Sequence, residues 1–350
     1  MYIILPDMKA RERNNKWSSI VGILRQEIAC GDFKKGDRFI TIEEISRRFN
    51  VSDIVGRRVL QELAKEGSVI NKPRCGSIIA RSTHVKEIPV FLPEKFCEDT
   101  VATPFLIFKI ISSIQQEARN YGLQVKFISN CELLSNPEQV ILVLYDLFND
   151  IRDIINNSAS TIIFVHSPKK INNFHTVRHG LFEGAYLATK HLIEKGYRKI
   201  GFIGGLFYDW YIARFQGYLE ALKEYGLGID VNFIKQTSDY DREENCNAFQ
   251  ELLRMKDSPD AVMCANDNRA IHILEYCSKK GIKVPEEIGI CGFDNIPEGE
   301  FTNPGLTTVD TRLDEVGKNA VVLAMKIMEK EVQGIQDIVI KPVVVIRRST

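Results

Sequence analysis

Residues 88–350 alternate short apolar runs with longer amphipathic stretches, and this alternation constrains the fold more than any other feature of the chain. Runs that are apolar on both faces and lie between helices are typical of parallel sheets covered on both sides. The region is long enough for two such sheets. The sequence therefore predicts a two-lobed α/β domain, with strands at residues 88–92, 125–128, 140–144, 161–165, 200–203, 261–264 and 288–291.

Residues 14–80 have a different pattern, in which apolar residues recur at spacings of three and four. From Trp17 this spacing predicts an amphipathic helix that ends near Gly31. Thr41 and Glu44 have the spacing of a capping box, in which each side chain bonds a free amide at the start of a helix. The sequence therefore predicts a second, short helix after Thr41.

A third helix is predicted at residues 53–66, after a tight turn at residues 50–52 in which Ser52 is the capping residue. Two short helices joined by a three-residue turn form a helix-turn-helix, whose second helix fits the major groove of DNA. Residues 68–80 then alternate around a turn at residues 74–76, which predicts a two-stranded wing. The predicted fold of this region is thus an α+β winged helix-turn-helix.

The charge of the chain is unevenly distributed, although its 46 Lys and Arg residues equal its 46 Asp and Glu residues. Residues 1–84 hold 16 basic residues against 10 acidic ones, so the remainder is acidic. A basic head on an acidic body is expected if only the head binds a polyanion.

The sequence also argues against several protein classes. No apolar run approaches the roughly 18 residues of a membrane span, and the charged first residues do not resemble an export signal, so we expect a cytoplasmic protein. The eight cysteines are spread singly and are expected to be reduced thiols. The sequence predicts no cofactor and no metal site.

An enzyme is also not expected. The glycines of residues 201–205 lack the spacing of a dinucleotide-binding loop, and no phosphate-loop lysine follows them. No nucleophile motif of the form Gly-x-Ser-x-Gly occurs. His175 and His179 are four residues apart, but they are expected to lie in a loop before Gly180 and not on a helix, so they are not expected to form a metal pair.

The head resembles the winged-helix domain of GntR-type transcription factors in the register of several short motifs. This resemblance implies that Arg38, Thr41, Ser52 and Arg57 approach DNA phosphates or base edges, and that Gly76 lets the wing approach the minor groove. The motifs are Gly36-Asp37-Arg38, Glu44-Ile45-Ser46, Val51-Ser52, Arg57-Arg58-Val59-Leu60, Glu66-Gly67 and Gly76.

The head also departs from that family. The family usually has arginine in place of Asp53 and of Glu43, and glycine in place of Arg74. Asp53 can accept a hydrogen bond from a cytosine amino group, or it can instead stabilise the dipole of its own helix. Ile54, Arg58 and Arg74 complete the candidate DNA contacts, while the alternative for Arg57 and Arg58 is an ordinary solvated helix face.

The second half of the body resembles the effector domain of LacI-type repressors, which is itself similar to periplasmic sugar-binding proteins. The resemblance implies that Arg214, Asn266 and Asp294 line the ligand cleft, and that Thr311 faces it. Its main motifs are Gly196-Tyr197-Arg198-Lys199-Ile200, Gly204-Gly205, Gly217-Tyr218, Gly281-Ile282-Lys283-Val284-Pro285, Gly292-Phe293-Asp294 and Pro304-Gly305-Leu306-Thr307-Thr308.

The chemistry of these side chains fits a polyol, which needs a bidentate donor, acceptors and an aromatic face. Asp267 is a further candidate acceptor. His166 stands where the family usually has a carboxylate, which weakens the prediction of a sugar. Phe105, Tyr208 and Trp210 are candidate stacking aromatics, and the alternative for each is loop or core packing.

These patterns define the predicted domains: a DNA-binding head at 14–80, a linker at 81–87 and an effector-binding and dimerisation body at 88–350. The first lobe is expected at 88–179 and 311–338, and the second at 180–310 and 339–350. Three crossings, near Gly180, Asp310 and Ile338, then form a hinge.

The combination resembles hybrid sugar-responsive regulators such as the arabinose repressors. It implies a ligand-responsive transcription regulator that represses carbohydrate-utilisation genes, with double-stranded operator DNA and a small effector as partners. A homodimer is expected because one recognition helix contacts few base pairs. Its interface is predicted at the helix near residues 105–118 and at residues 269–280 or a helix after Pro285. The alternatives are a solute-binding receptor and a regulator that binds a non-sugar molecule.

Overall fold

The computed structural model describes residues 8–30, 33, 36–72, 76–80, 86–92, 104–128, 139–144, 158–238 and 241–350. The chain divides into two compact units, Met1–Lys86, which we call the head, and Glu87–Thr350, which we call the body. Among the described residues, no helix has both the length and the apolar character needed to span a bilayer.

The described part of the head consists of three helices followed by an antiparallel hairpin. Buried side chains of all three helices and of the hairpin form a single core, which includes Leu24, Ile45, Leu63 and Ile79. The elements are α1 (Met8–Cys30), α2 (Ile42–Phe49), α3 (Asp53–Lys65), β1 (Val69–Lys72) and β2 (Gly76–Ile79).

Helix α2 begins with the predicted capping box, in which the Thr41 hydroxyl accepts from the Glu44 amide and the Glu44 carboxylate accepts from the Thr41 amide. Ser52 occupies the predicted N-cap position of α3, but its side chain makes no capping hydrogen bond. The Ser46 hydroxyl instead donates to the Asp53 carboxylate at 2.7 Å, which ties α2 to the first turn of α3.

The first lobe of the body contains a six-stranded sheet, in the order β13-β7-β6-β5-β3-β4. The pairings of β6 with β5 and of β5 with β3 are parallel, as the apolar runs predict. The pairings of β13 with β7 and of β7 with β6 are parallel as well, although β7 and β13 were not among the predicted strands. The strands are β3 (Lys86–Phe91), β4 (Leu123–Ile128), β5 (Val140–Leu144), β6 (Thr161–Val165), β7 (His175–His179) and β13 (Asp337–Ile340). His175 and His179 therefore lie on a strand and not in the predicted loop.

The second lobe contains a parallel sheet in the order β11-β10-β8-β9 and a separate antiparallel pair, β12 with β14. The strands are β8 (Ile200–Ile203), β9 (Ile234–Lys235), β10 (Ala261–Cys264), β11 (Gly289–Cys291), β12 (Thr308–Asp310) and β14 (Val343–Val345).

Among the described residues, six α-helices cover the sheets of the body. They are α4 (Pro104–Asn120) and α9 (Leu313–Met328) in the first lobe, and α5 (Leu181–Glu194), α6 (Asp209–Glu224), α7 (Arg242–Arg254) and α8 (Asp267–Lys280) in the second. Residues 284–287, which include Pro285, form a turn that leads to β11. The helix expected directly after Pro285, as one alternative for the dimer interface, is therefore not found at these residues.

The chain crosses between the lobes at Gly180, at residues 311–312 and at residues 341–342. The third crossing lies beyond the predicted Ile338, because β13 continues in the first-lobe sheet to Ile340. The Gly180 amide donates to the Ile340 carbonyl at 3.0 Å, so the first and third crossings are held together.

Helix α6 packs on α5 through Gly217, where a β-carbon would lie 2.1 Å from the Phe182 carbonyl oxygen and 2.9 Å from the Tyr186 amide nitrogen. Both atoms belong to the backbone of α5 and cannot turn away. The two helices therefore approach as closely as a glycine allows, and this contact positions α6.

We expect Gly217→Ala to destabilise the second lobe by about 1–3 kcal/mol, because overpacking outweighs the gain of about 1 kcal/mol in helix propensity. Gly228→Ala is the control, since no atom lies within 4 Å of its added carbon. Urea unfolding would be followed by Trp210 fluorescence in a Trp17→Phe background, because the chain has only 2 tryptophans. A Gly217→Ala protein as stable as the control would contradict this account.

Candidate functional site

A buried ion pair joins Arg214 on α6 to Asp294, which follows β11. The two guanidinium nitrogens Nη1 and Nη2 donate to the two Asp294 oxygens at 3.2 and 2.8 Å, and Nη1 also donates to the Ala265 carbonyl. Arg214 is 4% exposed and Asp294 8%. The guanidinium carbon lies 4.0 Å from the centre of the Phe293 ring.

This pair lies where the second-lobe sheet ends. Ala265 directly follows β10, and Asp294 follows β11 by three residues. The carboxyl ends of parallel strands are the usual ligand-binding edge of an open α/β sheet. Asp294 has a φ of 108°, a conformation that L residues rarely adopt and that is maintained only by surrounding structure. The structure thus brings together Arg214 and Asp294, as the resemblance implies.

Asn266 caps helix α8 at the same edge. Its Oδ1 accepts from the Arg269 amide at 3.1 Å, and its Nδ2 donates to the Tyr211 hydroxyl at 3.3 Å. The amide oxygen therefore satisfies a free backbone donor of α8.

Asp267 links the loops after β10 and β11 to β12. One of its oxygens accepts from the Thr308 hydroxyl, and the other accepts from the Ile296 amide at 2.9 Å. Burial, with a contribution from the nearby Asp294, raises the pKa of Asp267 to about 8. Gly292 makes room for this carboxyl group, since a β-carbon there would lie 2.1 Å from Asp267 Oδ1.

Three aromatic rings meet between the lobes. His166 directly follows β6 and His179 ends β7, both in the first lobe, whereas Trp210 belongs to α6 in the second lobe. The ring centres of His166 and Trp210 are 4.5 Å apart at an angle of 30°, and those of His166 and His179 are 4.7 Å apart. His179 and Trp210 are 5.8 Å apart. We call these three side chains the histidine–tryptophan cluster.

Several polar atoms of this region are buried without a hydrogen-bond partner among the described residues. They are His166 Nδ1, both ring nitrogens of His179, and Arg214 Nε. Each unsatisfied buried polar atom costs about 1–3 kcal/mol in general. A group of four such atoms in one region marks a place where water, an ion or a ligand can bind.

Both histidines are neutral in this environment. Burial, aided by Arg214, lowers the pKa of His166 to about 3. Burial also lowers the pKa of His179 well below its usual value, with further contributions from His166, Arg214 and Arg178. Arg178 is itself held by Asp337 through two hydrogen bonds of 2.8 Å.

The remaining candidates occupy different environments. Thr311 is buried at the second crossing between the lobes. Phe105 packs against the first-lobe core, which is the packing alternative considered for it. Tyr208 precedes α6, is 45% exposed, and lies 6.4 Å from Tyr211 between ring centres.

His179 was not among the residues expected at the site. It was overlooked because His175-Thr-Val-Arg-His179 is too polar to resemble the other buried strands. Burial along β7 does not alternate, since Thr176, Val177 and His179 are all buried, so no regular pattern in the sequence indicated this strand.

The predicted DNA-contact residues lie on several parts of the head. Ser52, Asp53, Ile54 and Arg57 are exposed on and before α3, and Ile54 is 81% exposed. Arg57 also lines a cleft of about 590 Å³ between α3 and the hairpin. The other residues of that cleft are Thr41, Ile42, Glu43, Leu60, Gln61, Asn71, Lys72 and Gly76.

Other candidates in the head are engaged within the protein. Arg38 pairs with Glu44 at 2.7 Å, and the guanidinium carbon of Arg58 lies 4.4 Å from the centre of the Trp17 ring. Gly76 has a φ of 80°, and a β-carbon there would lie 2.7 Å from the Thr41 methyl group. Arg74 lies outside the described residues.

Comparison with known proteins identifies relatives of the body. Residues 189–350 match the family described as periplasmic binding protein-like domain. The HTH-type transcriptional repressor PurR of Pasteurella multocida is 31% identical over 213 residues, which are 60% of this chain and 63% of that protein. PurR of Mannheimia succiniciproducens is 27% identical over 265 residues, or 71% and 78% of the two chains. The chain thus spans about three fifths of the first of these relatives.

Solved structures show the same fold. The transcription regulator CcpA of Lactococcus lactis has a TM-score of 0.63 and 25% identity, covering 76% of this chain and 100% of that chain. A complex of the transcriptional regulator CelR with cellobiose has a TM-score of 0.63 and 21% identity, covering 87% and 95%. The body therefore has the fold of LacI-type effector domains. These relatives are transcription regulators, which agrees with the prediction that the chain is not an enzyme.

The buried histidines should make the stability of the body depend on pH. Their pKa values lie below the value of about 6.5 in an unfolded chain, so they take up protons on unfolding below that pH. The contribution of the two histidines to the free energy of unfolding is complete above pH 6.5. It is lost as the pH falls toward 3, with a slope of up to about 1.4 kcal/mol per pH unit for each histidine.

We expect the double variant His166→Gln and His179→Gln to show a shallower loss of unfolding free energy between pH 6.5 and pH 4.5 than the unchanged chain. Urea unfolding at several pH values measures the two slopes. His175→Gln on the same strand as His179 is the comparison, because the half-buried His175 also has a pKa lowered by burial and its replacement should reduce the slope by less. Parallel slopes for the double variant and the unchanged chain would contradict the burial of neutral imidazoles.

Proposed function

We propose that the chain, whose residues 189–350 form a periplasmic binding protein-like domain, is a ligand-responsive DNA-binding transcription regulator and acts as a repressor. The observation that carries this proposal is the presence, in one chain, of that domain and of a head with an exposed helix α3 bearing Arg57. The curated relatives of the body are repressors with a helix-turn-helix in their names, which supports it.

The head is a winged helix-turn-helix of GntR type in this proposal. Helices α2 and α3 with the short turn between them form the helix-turn-helix, and the β1–β2 hairpin forms the wing. Arg38 pairs with Ile78 of β2 as an isolated bridge, which keeps it beside the wing. A helix of this size fits the major groove, and basic side chains around it neutralise phosphates.

The exposed face of α3 has the residue types that base recognition uses. Ile54 exposes an apolar side chain that fits a thymine methyl group, and Arg57 can donate to guanine or to a phosphate. Asp53 accepts from Ser46, so its carboxylate is already oriented on the first turn of α3. We include Thr41, Ser52, Arg58, Arg74 and Gly76 as further contacts of this surface.

The proposed organisation is a DNA-binding domain at 14–80, a linker at 81–87 and an effector domain at 88–350. The effector cleft lies between the lobes of the body and is lined by Arg214, Asp294 and the histidine–tryptophan cluster, with Asn266, Asp267 and Thr311 supporting it. A sugar or sugar derivative is the proposed effector, which the cellobiose complex of the structurally similar CelR supports.

The regulator acts as a homodimer in this proposal, because two recognition helices are needed for sufficient specificity. The proposed interface includes α4, on which Phe108 is 69% exposed, and α8. A ligand that contacts both lobes stabilises the closed arrangement alone, and only this difference in affinity can shift the equilibrium. Closure then changes the position of β3, which continues from the linker.

The contact of Arg57 with DNA is tested by Arg57→Ala. If Arg57 contacts a base, operator affinity falls by about 10-fold to 100-fold and random DNA is bound almost as before. If it contacts a phosphate, both affinities fall together and the salt dependence weakens by about one unit of slope. Fluorescence anisotropy with a selected operator and a random duplex at several salt concentrations distinguishes the two.

Arg25→Ala is the matched control, since it removes the same charge from the head at a residue that pairs with Glu66. Equal affinities of the Arg57→Ala, Arg25→Ala and unchanged proteins would exclude Arg57 from the DNA surface.

The coupling of the two domains is tested by inserting eight Gly and Ser residues after Ser82. A flexible linker transmits position poorly, so both operator and effector should still bind while the effector no longer changes operator affinity. The same insertion after Gly228, an exposed loop position of the second lobe, is the control. Operator titrations with and without an effector identified by thermal shift measure the coupling. An undiminished response after the Ser82 insertion would refute this mechanism.

A further inference from the structure

We infer that the effector carries an oxyanion, a phosphate or a carboxylate, that binds to His166 and His179, and that this binding takes up protons. The inference rests on the proposed function of the cleft and specifies its ligand class. A neutral sugar can bind without a pair of buried histidines, so the inferred ligand class goes beyond a neutral sugar.

The two imidazoles form a fixed and buried pair. His166 is 5% exposed and His179 1%, and both are anchored at the ends of neighbouring parallel strands, β6 and β7. The Trp210 ring lies against His166 at 4.5 Å between centres, so the plane of that imidazole is restricted. A ligand that reaches the pair therefore meets preorganised nitrogens.

The unpartnered atoms of the cleft are all nitrogens. His166 Nδ1, His179 Nδ1 and Nε2, and Arg214 Nε have no hydrogen-bond partner among the described residues. Arg214 Nε can only donate, and a protonated imidazole donates from both nitrogens. Because the two nitrogens of one imidazole ring point in divergent directions, these side chains can supply at most three donors to one group, one each from His166, His179 and Arg214.

The acceptors that a polyol would need are already engaged. Both oxygens of Asp294 accept from Arg214, and the two oxygens of Asp267 accept from Thr308 and Ile296. A hydroxyl group donates as well as accepts, whereas an oxyanion only accepts. A neutral imidazole has one acceptor nitrogen, but once the two histidines are protonated the unpartnered set consists of donors alone, which fits an oxyanion.

The charge around the pair also fits an anion. Arg214 from α6 and Arg178 from β7 are the charged groups that act on the histidines, and they are neutralised by Asp294 after β11 and Asp337 on β13. At the edge of the cleft Lys169 pairs with Asp209 at 2.7 Å. With neutral imidazoles these pairs balance, so each proton taken up leaves one positive charge for the ligand.

A bound anion reverses the effect of burial. An opposite charge within about 4–6 Å favours the charged form of an imidazole, so its pKa rises toward the physiological range. Protons from the solvent are then bound together with the anion. Such a charge shifts a pKa by about 1–3 units, which brings that of His166 from about 3 to about 4–6. Affinity should therefore increase as the pH falls from 8 to 6, by up to about twofold for the proton on His166, and more steeply below pH 6.

The experiment uses the full chain with Trp17→Phe, so that the fluorescence reports Trp210 next to His166. The probes are inorganic phosphate, glucose 6-phosphate, glucuronate, glucose and arabinose, each up to 100 mM with chloride matching the ionic strength. Thermal shift and Trp210 fluorescence measure binding at pH 6, 7 and 8. Calorimetry of the tightest probe in two buffers of different ionisation enthalpy measures the protons taken up.

We expect at least one oxyanion probe to bind at least tenfold more tightly than the neutral sugars, and more tightly at pH 6 than at pH 8. Glucuronate does not titrate in this range, so the pH dependence of its binding reports the protein alone. Its comparison with the phosphate probes separates a carboxylate ligand from a phosphate ligand. His166→Gln or His179→Gln should weaken the binding of that probe at least tenfold and remove its pH dependence. His175→Gln, on the same strand but bonded to the Gln336 amide, should change neither.

Failure of every oxyanion probe to bind, or tighter binding of a neutral sugar without proton uptake, overturns the inference. Either result leaves the proposed regulator intact, because operator binding by the head is measured separately. If the unchanged chain did not bind operator DNA, the proposed function would be excluded, whereas the inferred ligand class of the cleft would not be affected.

Discussion

The buried pair of Arg214 and Asp294 is the interaction on which the second lobe and its cleft depend. It connects α6 to the residues after β11, and a further bond to the Ala265 carbonyl adds the end of β10. Removing one partner of such a pair leaves an uncompensated buried charge and costs about 3–5 kcal/mol. The same side chains thus support the fold and form the cleft, and an alanine at residue 214 would disturb both.

The sequence predicted those parts of the fold in which a residue and its nearest neighbours decide the outcome. The strands at residues 140–144 and 161–165 were found with their predicted bounds, because both faces of each strand are apolar. The capping box at Thr41 was found for the same local reason. Ser52 was found at the N-cap of α3 without the side-chain hydrogen bond. The hydrogen bond from Ser46 to the Asp53 carboxylate joins two helices, and no local pattern contains such a contact.

The site was predictable only in part, because its geometry depends on contacts between residues far apart in the chain. The resemblance to LacI-type bodies indicated Arg214 and Asp294, but not that each would neutralise the other. His179 could not be assigned without the strand β7 on which it lies. Trp210 was expected as a stacking aromatic for a ligand, and the structure places its ring against His166 of the other lobe.

The contact between Trp210 and His166 limits how strongly the body favours the lobe arrangement of this structure. An aromatic pair contributes about 0.5–1.5 kcal/mol beyond its buried area, and an exposed ion pair such as Lys169 with Asp209 contributes about 0–1 kcal/mol. Together these contacts contribute about 0.5–2.5 kcal/mol, which changes an equilibrium between two lobe arrangements by roughly twofold to seventyfold. Because the unpartnered imidazole nitrogens oppose the same arrangement, an effector that satisfies them adds to a small existing preference. Neither the aromatic packing nor the surface ion pair is strong enough to fix one lobe arrangement alone. In the proposed regulator, the histidine–tryptophan cluster can therefore make lobe closure depend on the ligand.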